Sequence, residues 1–212
     1  MTSDPQRAAD DHRRLVAALR NPAVFGAGTA KVDLIETHIS DVLLTGRYAY
    51  KLKKPVNLGF ADFSTLDRRR HFCELELALN RRLAPELYLD VVAITGTPER
   101  PVLGGDGAPL EYAVKMREFP QDALASRALA RGAFGAAEVD ALAALVAAFH
   151  RRIAVADPAG PYGTAAEIRA QALDNFAGIL PLAADDAERA ELEALRDWTA
   201  AEHEKRLAVF EA

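Results

Sequence analysis

The sequence predicts an α+β protein: a lobe with a five-stranded antiparallel sheet and one long helix, followed by a lobe made of helices. Three observations predict this. Most β-branched and aromatic runs lie before residue 120, and the chain after it is alanine-rich and helix-prone. Five short runs before that point have strand character. Between the third and fourth of them lies one long helical stretch.

Taken in order, residues 8–19 read as a short amphipathic helix with Leu15, Val16 and Leu19 on one side, ended by Asn21-Pro22. Strands are expected at 32–35, 42–44 and 48–52, the last two joined by a tight turn at Thr45-Gly46-Arg47, with Pro55 stopping the third. Ser64 is the expected N-cap of a helix running to about Leu83, closed by Ala84-Pro85. A strand at 87–94 and its partner at 110–116 flank a Gly- and Pro-rich stretch, 96–109, which suits a hairpin loop. After an extended link, 117–122, helices are expected at 124–130, 137–153, 164–179 and 187–210. The lobes are thus 1–117 and 124–212, joined by a hinge at 118–123. The last helix has no Gly or Pro stop, which hints that the natural chain continues.

Composition narrows the function. A net charge of −5 lacks the basic balance of a nucleic-acid binder. No apolar run approaches the ~20 residues of a membrane span, and the polar, acidic start MTSDPQRAADDHRR reads as neither secretory signal nor transit peptide. The single cysteine, Cys73, leaves no internal disulfide framework and no zinc cluster. A cytoplasmic protein without a metal site of its own is expected. The basic runs at 68–70 and 81–82 read as solvated faces.

Two residues are expected to meet. Protein kinases and their small-molecule relatives hold ATP phosphates with a lysine on the third strand, paired with a glutamate on the following helix. Their strand reads V-A-I-K; alternate residues share a face, so the small alanine leaves room for adenine while the lysine reaches phosphate. Here the third strand reads Tyr48-Ala49-Tyr50-Lys51, with Ala49 in the small position and Lys51 in the phosphate position. Lys53 is on the same face and competes, but lacks a small residue two before it. An edge strand decorated with lysines against aggregation would look alike. On the helix, Phe72, Glu76, Leu79 and Leu83 follow one face at ~100° per residue, flanked by Cys73 and Asn80, which makes Glu76 the inward acid. Glu74 falls on the solvated side. A carboxylate on an apolar face calls for a cation. A lysine–glutamate pair that only stabilises the lobe, with no nucleotide, is the alternative.

Further blocks join this pair: Thr37-His38-Ile39-Ser40, the run 50–56, Leu58-Gly59-Phe60-Ala61-Asp62-Phe63-Ser64-Thr65-Leu66, Glu76-Leu77, the run 79–85, and Tyr112-Ala113-Val114-Lys115-Met116. Together they resemble the aminoglycoside-phosphotransferase-like bacterial family whose longer members carry a second, P-loop ATPase domain. The match is close over about 30–150 and loose beyond. The resemblance implies a kinase-like N-lobe, a partial helical C-lobe and ATP at the hinge. By position Lys51 would bind phosphate, Glu76 would be its partner, and backbone groups of Met116, Arg117, Glu118 and Phe119 would bond adenine.

The departures are specific. His12, His38, His71, His150 and His203 are the five histidines, and none begins a His-Gly-Asp or His-Arg-Asp triplet. The catalytic Asp and the metal-binding Asp are therefore missing, and ligands for Mg²⁺ are expected outside this chain. Asp62-Phe63-Ser64 mimics Asp-Phe-Gly but precedes the helix. No P-loop motif occurs. Where a Gly-rich phosphate loop would lie, Thr37 to Ser40 forms a bend, which reads first as a turn with local hydroxyl and imidazole hydrogen bonds. The expected function is the ATP-binding part of a small-molecule phosphotransferase, inactive alone, with self-association through exposed C-lobe faces. A non-catalytic nucleotide-binding or pseudokinase interaction module is the alternative.

Overall fold

The computed structural model describes residues 5–59, 61–157 and 159–210; Phe60 of the run quoted above lies outside them. The chain divides into two compact units, Met1–Phe149 and His150–Ala212.

The first unit opens with α1 (Pro5–Leu19), whose buried residues His12, Leu15, Val16 and Leu19 follow helical spacing. Strands β1 (Asp33–Glu36), β2 (Ser40–Leu44) and β3 (Tyr48–Lys53) come next, then α2 (Leu66–Asn80), then β4 (Tyr88–Thr97), β5 (Arg100–Leu103) and β6 (Glu111–Arg117). All pairings are antiparallel, in the order β1-β2-β3-β6-β4-β5. Helices α3 (Ala125–Ala130) and α4 (Ala136–Arg152) follow, and the second unit holds α5 (Ala165–Ile179), α6 (Asp186–Lys205) and the short α7 (Leu207–Phe210). The protein is α+β, with an antiparallel sheet and several helices, as expected.

The sheet has six strands rather than five. The additional one, β5, lies in the stretch expected to be loop, hairpinned onto β4 with Gly96 opposite Pro101. Gly96 has φ +90°, and a Cβ there would lie 2.3 Å from the Arg100 carbonyl oxygen, so a side chain would block the turn. Pro101 is tolerated because β5 is an edge strand that pairs on one side only.

Register sorts the strand side chains onto two faces. Leu43 opposes Tyr50, and Leu52 opposes Ala113. These residues, with Ile94, Val32 and α1's Leu15 and Leu19, form the main apolar core on one face. The other face carries Ala49, Lys51, Lys53, Val114 and Met116, and α2 packs there, the Cys73 Sγ reaching the Tyr112 carbonyl oxygen at 3.8 Å. α2 starts one residue later than expected. Thr65 is its N-cap, accepting from the Arg68 N–H, while Ser64 donates its hydroxyl to Asp62. In the second unit α5 and α6 pack together, with Phe176 buried and Arg169 3.4 Å from Glu204. The terminal segment expected as one helix breaks after Lys205 into α6 and α7. Among the described residues no helix is long and apolar enough to cross a membrane.

Leu52 is fully buried, whereas Leu79 is 48% exposed. Leu52→Ala is expected to cost about 3 kcal/mol in urea unfolding of the chain, and Leu79→Ala less than about 1 kcal/mol.

Candidate functional site

The site is built by strand alternation meeting a helix. β3 puts Ala49, Lys51 and Lys53 on one face, and α2 lays Glu76 over that face. Lys51 Nζ lies 2.8 Å from Glu76 Oε1, and Lys53 Nζ lies 2.7 Å from Glu76 Oε2. Both candidate lysines therefore engage the one glutamate, each through its own oxygen. Their environments differ: the Lys51 side chain is 29% exposed and the Lys53 side chain 6%. The Lys53 ammonium also lies 5.0 Å from the centroid of the buried Phe63 ring, a cation–π contact. Burial pushes the Glu76 carboxyl upward, but hydrogen bonds and charge from Lys51 and Lys53 outweigh it and hold Glu76 below its ordinary value.

The rest of the α2 face differs from the expected apolar stripe. Leu79 and Leu83 are exposed, while Arg69 and Cys73 are buried. Arg69, expected to be solvated, donates from Nε to Glu111 Oε2 at 2.7 Å and from a terminal nitrogen to the Phe63 carbonyl oxygen at 2.9 Å. The inward stripe is thus Arg69, Cys73 and Glu76, a polar face matched to polar partners on the sheet. The signal was present: Arg69 sits four residues before Cys73 and seven before Glu76, on the same helical side. Glu74 is solvated, as expected, and pairs with Arg70.

Ala49 is buried and stands directly opposite Met116, with Lys51 opposite Val114. Arg117 pairs with Tyr48 and so falls on the opposite face from Lys51. Its N–H donates to the Leu87 carbonyl oxygen at 2.8 Å. The Glu118 N–H donates to the Arg47 carbonyl oxygen at 3.1 Å, and its carboxylate accepts from the Gly46 N–H at 2.7 Å. Phe119 is 39% exposed, and its carbonyl oxygen accepts from Gln121 Nε2. The bend at Thr37–Ser40 is a turn in which the Thr37 hydroxyl donates to the Ser40 carbonyl oxygen and accepts from the Ser40 N–H. Asp62 is occupied by Ser64 and by an ion pair with Arg68.

Sequence reading missed a second polar pair. His12 of α1 and Asp41 of β2 meet at 2.8 Å, both buried, with Lys54 Nζ 3.7 Å from Asp41. It borders a cavity of about 450 Å³ beside α1. Another cavity, of about 520 Å³, lies between residues 25–31 and the β2–β3 turn. Lys51 and Glu76 line neither. Cys73, directly under α2, is no nucleophile at neutral pH, because burial pushes its thiol up to about 12.

Because the folded-state value of Glu76 is depressed, its ion pairs stabilise the protein above the ordinary carboxylate value of about 4.3, and that contribution is lost as pH falls through the folded-state value. Glu76→Gln is expected to destabilise by about 3 kcal/mol at pH 7, with the difference from the parent shrinking as pH is lowered past about 4. Urea unfolding across that range measures it, and a gap independent of pH would remove Glu76 as the anionic partner.

The chain is 34% identical over 121 residues, 57% of its length, to uncharacterized proteins of Mycobacterium tuberculosis (strains H37Rv and CDC 1551) and of Mycobacterium bovis. That segment is 23% of each of them, so the chain spans under a quarter of the length of the curated relatives it matches. No family model matches the chain, and no solved structure matches it.

Proposed function

We propose that the first unit is the kinase-like, ATP-binding lobe of a small-molecule phosphotransferase similar to the aminoglycoside-phosphotransferase-like family. The observation that carries this reading is the Lys51–Glu76 contact at 2.8 Å, between the third strand and the helix after it. That is the arrangement kinases use to aim an ammonium at phosphate. Ala49 on the same face, opposite Met116, supports it further.

The residues fit a polyphosphate. Two ammoniums share one carboxylate, and one of the two reaches solvent. Bound ATP would supply a transferable phosphoryl group. Lys51 would hold phosphate oxygens, and Glu76 would fix the Lys51 ammonium. At the hinge, Arg117 and Glu118 have already committed their N–H groups to Leu87 and Arg47, so the Phe119 N–H is the donor for the adenine edge. Among the described residues no group of three or more His, Cys, Asp or Glu is placed to hold a metal ion. Catalysis of this class is positioning plus charge stabilisation, which needs the general base and metal ligands that the sequence lacks. Within this reading the chain binds nucleotide in a cytoplasmic setting and transfers no phosphate by itself.

Calorimetric titration tests the nucleotide site. Saturable MgATP binding is expected, weakened about ten- to a hundredfold by Lys51→Ala, the worth of one hydrogen bond to a charged group, with adenosine affinity unchanged. A folded chain that takes up no MgATP at millimolar concentration sinks the proposal. Phosphate transfer at the roughly 1–100 s⁻¹ of ordinary kinases would instead overturn the inactivity.

Self-association belongs to the same reading, since Val139, Leu142 and Leu145 of α4 are exposed. Sedimentation velocity is expected to show concentration-dependent oligomers that Leu142→Glu reduces; a monomer at all concentrations contradicts this.

A further inference from the structure

The carboxylate between the two lysines carries an asymmetry that a single lysine–glutamate pair would not have. Glu76 needs one positive charge and receives two, one on each oxygen. Among the described residues it is the one carboxylate within ion-pair distance of either lysine. One positive charge at the cluster is therefore unmatched. The two ammoniums are not equivalent in their freedom to leave. The Lys53 side chain is 6% exposed and its ammonium lies against the Phe63 ring, so leaving Glu76 would strand a cation in an apolar surround. Phe63 is itself held, because its carbonyl oxygen accepts from buried Arg69. Lys51 is 29% exposed and meets solvent, so it exchanges partners at far lower cost.

We propose that Lys53 is a positioning residue: it satisfies and anchors Glu76, and so leaves the Lys51 ammonium available to the phosphoryl oxygens of a nucleoside triphosphate. This rests on the nucleotide reading above and deepens it. With one lysine alone, every phosphate contact competes with the glutamate for the same charge. With Lys53 on its own oxygen, Glu76 is already neutralised, so it can hold the Lys51 ammonium in place while that charge serves the ligand. Lys51 is then the ligand group, and Lys53 sets how much of its charge the ligand can use.

The test uses the full chain and two readouts: labelling of lysines by acetic anhydride, read residue by residue by mass spectrometry, and the affinities for MgATP and adenosine. In the parent chain Lys51 labels faster than Lys53, and MgATP shields Lys51 alone. In Lys53→Met, Glu76 keeps Lys51 as its sole counter-ion. Lys51 labelling then slows and MgATP affinity falls, each by about tenfold, while adenosine affinity holds. Adding Glu76→Gln to Lys53→Met frees Lys51 and restores its labelling, a rescue that a merely structural role of Lys53 does not give, while MgATP affinity stays low because nothing then fixes the Lys51 ammonium. Lys53→Arg behaves as the parent. Unchanged Lys51 labelling in a folded Lys53→Met chain, or no recovery of that labelling on adding Glu76→Gln, overturns the proposal. So does faster labelling of Lys53 than of Lys51, or MgATP shielding Lys53, in the parent chain, which decides the matter even if Lys53→Met fails to fold. If MgATP binds nowhere, the nucleotide reading fails by itself, and the slowing and rescue of Lys51 labelling still decide what Lys53 does.

Discussion

A carboxylate under α2, mostly withdrawn from water, is the constraint around which the first unit is arranged. Removing an ion from water costs several kcal/mol unless a counter-ion is waiting. Glu76 is 13% exposed and is met by two ammoniums from β3. Those contacts fix the rotation of α2 and the register of β3 together. A one-residue slip of β3 would turn Lys51 and Lys53 toward the face where Leu43 and α1 pack, and would turn Leu52 toward α2. Helix, strand and charge thus determine one another.

The two faces of the sheet are held by different physics. Under α1 the contacts are mainly apolar, built from Leu15, Leu19, Leu43 and Leu52, with the buried His12–Asp41 pair among them, and the apolar part depends little on direction. Under α2 they are chiefly ionic, Glu76 with Lys51 and Lys53, while Arg69 of α2 reaches Glu111 at the start of β6. Ionic contacts of this kind fail when one partner is missing, and they set orientation. The nucleotide proposed above would meet the ionic face, with the apolar face behind it. The chain from residues to proposed function runs through that division. Alternation along β3 sends Leu52 to one side and Lys51 to the other.

Much of the first unit was legible in the sequence. Strand alternation, the glycine turn at 45–47 and the order of strands around one helix follow from local rules that need no partner. The pairing of Lys51 with Glu76 was legible because helical spacing singles out one acid. Three features were not. β5 hid inside Gly- and Pro-rich sequence, since a four-residue edge strand has too little pattern to stand out from a loop. Arg69 looked solvated because its partner, Glu111, is 42 residues away. Leu79 and Leu83 looked buried because they share helical spacing with Glu76, but α2 ends at Asn80 and not near Leu83, which leaves Leu83 beyond the helix and Leu79 in its exposed last turn.

By itself the sequence determined the α+β class, the strand-rich first half and helical second half, and the residues able to hold a charge at the centre of the sheet. Those depend on local spacing and composition, which the chain carries wherever it goes. Only the tertiary structure decided that both Lys51 and Lys53 meet Glu76, and that one of them is sealed in while the other faces water. Depth of burial is a property of what packs on top. Two lysines two residues apart on the same strand face are alike until α2 and Phe63 close over one of them.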